Sequence, residues 1–281
     1  MKEILRVDVV HRDNVDKQTL EWWESLCRET TLAMQDHLMR YVTPISITVS
    51  SEGDSKTEGR LQGTGSYILW GGRRLLMTNE HILRNWRPQQ FGHQFQGCDK
   101  IFQLNKPLGL EGDPVDAAIC VIADQLWEQH GSGAEAIPQK RIAERHEPMP
   151  GELLFLTGYP GARSGFAFET LFTPATRLLT QALPPEISVP GLHANYFSLV
   201  YAPGRGETVD PENGVPLSLP PGLSGSLVWN TRRLERESQK KEWSPDLAQV
   251  TGMLCSWIDK SPIVVATRVE AVREFLRKHV T

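Results

Sequence analysis

An all-β fold of the sandwich or barrel kind, with a helix at each end, is what this 281-residue sequence predicts. Three observations carry the prediction. Short runs rich in β-branched and aromatic residues recur between Gly and Pro turns, without a regular alternation of strand and helix. Helical spacing of apolar residues is sustained near the start of the chain and again at its end. The composition, 40% hydrophobic and 23% charged, is that of a globular chain able to bury a sizeable core.

Over residues 15–41, Leu20, Trp23, Cys27, Met34, Leu38 and Tyr41 recur on one helical face. Thr43-Pro44 ends that helix, because a residue before proline is pushed out of helical geometry. A β-branched strand follows at 45–50, then a polar loop at 51–59. Strands at 65–70 and 73–78 are separated by Gly71-Gly72, a pair suited to the positive φ of a tight hairpin. Further strands are expected at 100–104, 117–122, 152–157, 166–172, 196–201, 226–230, 250–257 and 263–267. Val269, Val272, Leu276 and His279 then share one face of a closing helix at 268–279. Two stretches read as surface insertions: 131–150, and the charged run 231–245, taken as a solvated hairpin tip. No internal repeat or low-complexity segment occurs.

A net charge of −4, without a basic run, argues against a nucleic-acid partner. The first 13 residues alternate charged and apolar and lack the apolar stretch of a secretory signal, and nothing approaches the roughly 18 apolar residues of a membrane span. Cys27, Cys98, Cys120 and Cys255 lie far apart and read as reduced thiols of a cytoplasmic protein. His81, His93 and Cys98 could be imagined around zinc, but no Cys-x-x-Cys or His-x-x-x-His pair fixes a ligand geometry, so no metal or other cofactor is expected.

The chemistry-bearing residues form a different set. A serine hydroxyl is a poor nucleophile at neutral pH; it needs an imidazole to take its proton and a carboxylate to orient that imidazole. His81 follows a hairpin strand in Met77-Thr78-Asn79-Glu80-His81, and Asp116 directly precedes the apolar strand Ala117-Ala118-Ile119-Cys120. Ser224 lies in Pro221-Gly222-Leu223-Ser224-Gly225-Ser226, where flanking glycines permit a tight backbone that turns amides toward an oxyanion. Asp113 is the rival carboxylate, but the turn composition Gly112-Asp113-Pro114 accounts for it.

These segments resemble the trypsin-like, chymotrypsin-fold serine peptidases, especially bacterial intracellular and stress-type members. The likeness runs through Gly63-Thr64-Gly65-Ser66-Tyr67-Ile68, the Thr-Asn-Glu-His run, Asp116, Gly158-Tyr159-Pro160, the Gly-Leu-Ser-Gly loop and residues 252–269. The order His, Asp, Ser agrees with it. It implies a chymotrypsin-like double β-barrel over 43–281, with a first barrel at about 43–130, a second at about 150–267 and the C-terminal helix at 268–279. Residues 1–42 form a helical extension outside the likeness, so removing 1–40 is expected to leave the barrels intact.

By the same resemblance the chain is a serine endopeptidase with the triad His81, Asp116 and Ser224 and an oxyanion hole from the amides of Gly222 and Ser224. Ser218 would floor the specificity pocket, with Ser256, Trp257, Ile258 and Val264 as its walls; no acid marks the floor, so cleavage after small aliphatic residues is expected. The partners implied are protein or peptide substrates; the N-terminal helix, outside the likeness, reads first as packed against the barrels and second as a dock for a regulatory protein. Leu223 replaces the aspartate that in secreted trypsins pairs with a newly cut N-terminus, and Ser226-Leu227 replaces the family's Gly-Pro. One rival function is a weak or inactive scaffold of this family that binds a peptide or regulatory partner. The other, an α/β-hydrolase esterase, would need Gly-x-Ser-x-Gly leading into a helix, and Ser226 stands in place of its last glycine.

Overall fold

The computed structural model describes residues 17–50, 57–88, 90–167, 170–184, 189, 191–201, 219–258 and 261–280. A long helix, α1 (Lys17–Leu38), runs through a single 3-10 turn into the first sheet. That sheet contains β1 (Val42–Ser50), β2 (Thr57–Trp70), β3 (Arg73–Thr78), β4 (Phe91–Gln94), β5 (Ile101–Gln103), β6 (Gly109–Glu111) and β7 (Ala117–Val121), in the order β5-β4-β1-β2-β3-β7-β6. The short β8 (Ile137–Pro138) lies parallel to β2. After β9 (Leu154–Gly158) comes a separate pair, β10 (Gly165–Ala167) and β11 (Thr170–Phe172). The second sheet adds β12 (Thr176–Thr180), β13 (Tyr196–Val200), β14 (Leu227–Asn230), β15 (Gln249–Trp257) and β16 (Ile263–Arg268), ordered β12-β9-β14-β15-β16-β13. Short helices α2 (Glu80–Leu83), α3 (Asp124–His130) and α4 (Arg233–Ser238) interrupt the strands, and α5 (Val269–His279) closes the chain. Two mainly antiparallel sheets with a helix at each end are the expected all-β class and are consistent with a chymotrypsin-like double barrel. Among the described residues no helix is long and apolar enough to cross a membrane.

Local chemistry explains most boundaries. Gly71 and Gly72 take φ of +54° and +75°, the positive values a two-residue turn between β2 and β3 needs. The segment expected as one strand at 166–172 is instead described as two paired strands, Ala167 opposite Thr170. The charged run after β14 is not a bare hairpin tip. Arg232 enters the left-handed region, with φ of +57°, and α4 follows. Glu152, 2% exposed, accepts the amides of Leu153, Leu234 and Glu235 at 2.9, 3.0 and 2.9 Å. A buried carboxylate thus satisfies first-turn amides that a short helix leaves without partners.

The stretch 131–150 is likewise no surface insertion. Ile137 and Ile142 enter the largest core, and Arg141, 8% exposed, reaches the carbonyls of Ala248 and Pro245 and the His37 ring. Its guanidinium also lies 5.0 Å from the ring centre of Trp229, so this connection pins α1 to the second sheet. That largest core is shared. It combines Ile68, Met77 and Ile119 of the first sheet with Phe155, Trp229 and Met253 of the second, and both terminal helices enter it through Met34, Leu38, Phe275 and Leu276.

All four cysteines are free, and burial pushes the Cys120 and Cys255 thiols up to about 12, so both stay protonated. His93 is a core residue: the Tyr67 hydroxyl is 2.8 Å from its Nδ1, and burial holds its pKa down to about 3. His146 stacks on Phe197, and burial, helped by the charge of Arg268, holds it down to about 4.

Two predictions follow from this packing. Because Met34 and Leu38 are wholly buried in the shared core, burial argues against a dispensable N-terminal helix. Leu38→Ala should cost about 2–5 kcal/mol in urea unfolding, and a chain lacking residues 1–40 should lose its cooperative transition. A truncated protein melting at the full-length midpoint would place α1 outside the core. The second concerns acid. His93 and His146 stay neutral when folded but titrate near 6.5 when unfolded, so stability should fall as pH drops below about 6.5 and go on falling to about 4 for His146 and about 3 for His93. Each contributes a slope of about 1.4 kcal/mol per pH unit inside that window. His146→Gln should remove about one proton from the uptake on unfolding near pH 5; an unchanged slope would contradict the assignment.

Candidate active site

Strands β3 and β7 lie side by side, with Thr78 opposite Ala118, and this pairing carries His81 and Asp116 to one end of the first sheet. His81 sits in the first turn of α2, just past the end of β3. Asp116 precedes β7 in the left-handed region, with φ of +47°, a conformation that needs external support in a residue other than glycine. The support is visible on both sides. The Asn79 amide donates to the Asp116 carbonyl at 2.8 Å, and the Thr267 hydroxyl donates to the Val115 carbonyl at 3.0 Å.

So held, the Asp116 carboxylate is 2.7 Å from His81 Nδ1 through Oδ2 and accepts the His81 backbone amide at 3.0 Å through Oδ1. An ionised carboxylate only accepts, so Nδ1 carries the proton and Nε2 keeps a lone pair. The carboxylate side chain is 13% exposed and the imidazole 35%, a sheltered carboxylate beside an accessible imidazole. Asp113 is elsewhere, accepting the Tyr196 hydroxyl.

The Ser224 loop comes from the second sheet but is tied to the first. The Thr64 amide of β2 donates to the Ser224 carbonyl at 2.9 Å, and the Thr64 hydroxyl donates to the Gly222 carbonyl at 2.9 Å. That hydroxyl also accepts the Tyr159 amide at 2.9 Å, while the Thr64 carbonyl accepts the Thr78 hydroxyl at 2.8 Å. Within the loop, Gly222 and Gly225 take φ of +97° and +88°, and a Cβ on Gly222 would lie 2.5 Å from the Gly161 nitrogen. Only glycine fits there.

The loop's amides are also oriented. Gly161 donates to the Pro221 carbonyl at 2.8 Å, and Ser226 donates to the Leu223 carbonyl at 3.0 Å. Carbonyl and amide of one trans peptide point in opposite directions, so the amides of Gly222 and Ser224 are turned away from these bonds. Neither meets a backbone acceptor among the described residues. Ser224 is half-buried, and its hydroxyl is not hydrogen-bonded to His81 Nε2 in this structure.

Leu223 is fully buried with Tyr201, Leu254 and Val264. Ser226 is fully buried too, its hydroxyl without a partner among the described residues. Of the expected pocket residues, Ser218 lies outside the described residues. A bulge after Leu254 sets the register of β15, with Ser256 opposite Val265 and Trp257 opposite Val264. Ser256 is exposed, while Trp257 and Ile258 are half-buried. Val264 is 0% exposed and meets the core, not an open wall. His81, His93 and Cys98 do not gather; among the described residues no group of His, Cys, Asp or Glu could hold a metal ion.

Sequence reading missed Thr64, Asn79 and Thr267, which position the others. Asn79, a small amide two residues before the histidine, and Thr64, within the Gly63–Ile68 run, carried a local signal; Thr267 carried none.

No protein-family model and no curated protein matches the chain. Among solved structures it is similar to the active form of the Rv3671c protease from M. tuberculosis, at 18% identity and a TM-score of 0.47, over 88% of this chain and 84% of that one. At that distance no residue role carries over.

Thr64→Val keeps the shape of the side chain but strips the hydroxyl that serves both the Gly222 carbonyl and the Tyr159 amide. Each buried group left unpaired costs about 1–3 kcal/mol, so thermal unfolding should report a loss well beyond that of an exposed Thr→Val control. Equal losses at the two positions would show that the joint carries no energy.

Proposed function

We propose that the chain is a serine endopeptidase that hydrolyses peptide bonds of protein substrates through an acyl-enzyme. The observation that carries this reading is the Asp116–His81 pair at 2.7 Å, with Nε2 left free on an accessible imidazole. The two unengaged amides of the Ser224 loop support it.

Ser224 Oγ attacks the substrate carbonyl carbon while its proton passes to His81 Nε2, and the carbonyl π pair becomes an oxyanion held by the amides of Gly222 and Ser224. Asp116 stabilises the imidazolium and keeps the ring in its tautomer. His81 then gives the proton to the leaving nitrogen as the C–N bond breaks, and water deacylates the ester by the same steps in reverse roles. Such a contact between hydroxyl and imidazole tightens when substrate excludes water, so its absence in the free protein is compatible with the mechanism. One oxyanion donor is typically worth about 3–4 kcal/mol. On the acyl side, Trp257 and Ile258 would narrow the specificity pocket and favour small aliphatic residues at the cleaved position.

The missing bond between Ser224 Oγ and His81 Nε2 is the one feature that favours the second reading, a trypsin-like scaffold that binds a peptide without cutting it. Labelling separates the two. A serine-directed fluorophosphonate should modify the protein stoichiometrically at Ser224 and fail on Ser224→Ala. Ser224→Ala and His81→Ala should each lower peptide hydrolysis on the order of a millionfold, with the double variant little worse, because the residues act as a unit. Losses that multiply, or an unlabelled wild-type protein, would sink the catalytic reading.

A further inference from the structure

Beside the nucleophile loop lies a cavity of about 420 Å³, lined by Arg60 and Gln62 of β2, by Gly161 and Ala162 facing them, and by Pro221 and Gly222 of the loop itself. None of Ser256, Trp257 or Ile258 lines it, so it is distinct from the expected acyl-side wall. If that wall holds the acyl half of a peptide, the cavity faces the half that leaves.

Its chemistry is one-sided. Arg60 is exposed, its guanidinium makes neither an ion pair nor a hydrogen bond with any described side chain, and no carboxylate is among the described lining side chains. In contrast, Arg40, Arg74, Arg84 and Arg232 each sit on a carboxylate. The Gln62 amide is also unengaged among the described residues. Gln62 is placed there by a bulge: Ile45 pairs with Gly63 and Ser46 with Leu61, leaving Gln62 without an opposite residue. Such a bulge re-aims a side chain out of the regular alternation. The facing wall of Gly161 and Ala162 leaves room for an incoming side chain.

We propose that this cavity selects an acidic residue, Asp or Glu, on the leaving-group side of the bound peptide, with Arg60 pairing to its carboxylate and Gln62 donating a hydrogen bond. A planar guanidinium suits a carboxylate in two-point contact. The assignment to the leaving-group side rests on Ser224 being the nucleophile; the preference for acid does not.

The test uses the full chain in a form that cannot cut. Labelled octapeptides of Ala and Val, carrying one Asp or one Lys at each position in turn, are titrated into Ser224→Ala by fluorescence anisotropy. At one or two adjacent positions Asp should bind about fivefold or more tighter than Lys, the discrimination a partly exposed ion pair supports, and salt should weaken it. Arg60→Glu in the same background should reverse the order at those positions only. Equal binding of Asp and Lys peptides, or a preference that survives Arg60→Glu, would overturn the proposal. Fluorophosphonate labelling reports separately on Ser224, so a protein that fails to label yet shows the Arg60-dependent preference keeps the acidic site and loses the hydrolase reading.

Discussion

Thr64 is wholly buried in β2, and its hydroxyl works in both directions, accepting the Tyr159 amide and donating to the Gly222 carbonyl. Its backbone does the same, giving its amide to Ser224 and its carbonyl to Thr78. Buried peptide groups need partners, and the Ser224 loop is too tight to supply its own. The first sheet supplies two of them through one residue, so docking of the sheets and shaping of the loop are a single event. His81 lies only three residues beyond Thr78, so the same joint ties His81 to the Ser224 loop. A slip between the sheets would leave several buried groups unpaired at once, which makes the geometry all-or-none.

The apolar packing reinforces that joint. One core passes between the sheets and takes in both terminal helices, so no sheet closes independently of α1 or α5. Leu223 shows how the loop is held on the other side. This leucine anchors the loop by burial among Tyr201, Leu254 and Val264. Burial of a leucine needs no free chain terminus, so the loop can take its shape as the chain folds. Gly158 fits against the loop closely enough that a Cβ there would lie 2.1 Å from the Ser226 hydroxyl. Packing, with the Thr64 bonds, leaves the loop little freedom.

Charge is distributed with the same economy. Glu152 and Arg141 are buried, and both have several hydrogen-bond partners: amides of α4 for the first, carbonyls and an imidazole for the second. Such pairing offsets the cost of removing a charge from water. Asp116 follows the rule, with both carboxylate oxygens engaged by His81. Arg60, on the cavity beside Gly222, is the charge near the site that meets no partner among the described residues.

Much of the molecule was legible without coordinates, and the reason is local. The Gly71-Gly72 turn, the strands 73–78, 117–121 and 249–257 and both terminal helices follow from φ preferences, β-branched runs and helical spacing, which neighbouring residues alone decide. The residue types around His81, Asp116 and Ser224 were also readable, since an imidazole after a strand, a carboxylate before one and a serine between glycines have recognisable local requirements. Sequence could not show that 131–150 enters the core, because Arg141 finds its partners about a hundred residues away on either side. Nor could it show that the charged run after β14 forms a helix, since Glu152, which accepts its amides, lies some eighty residues upstream. That Asp116 and not Asp113 lies beside His81 follows from β3 pairing with β7, and the bonds of Thr64 from contact between two sheets. The choice of residue types for the site was thus determined by the chain itself; their meeting was decided only when buried groups from distant segments had to satisfy one another.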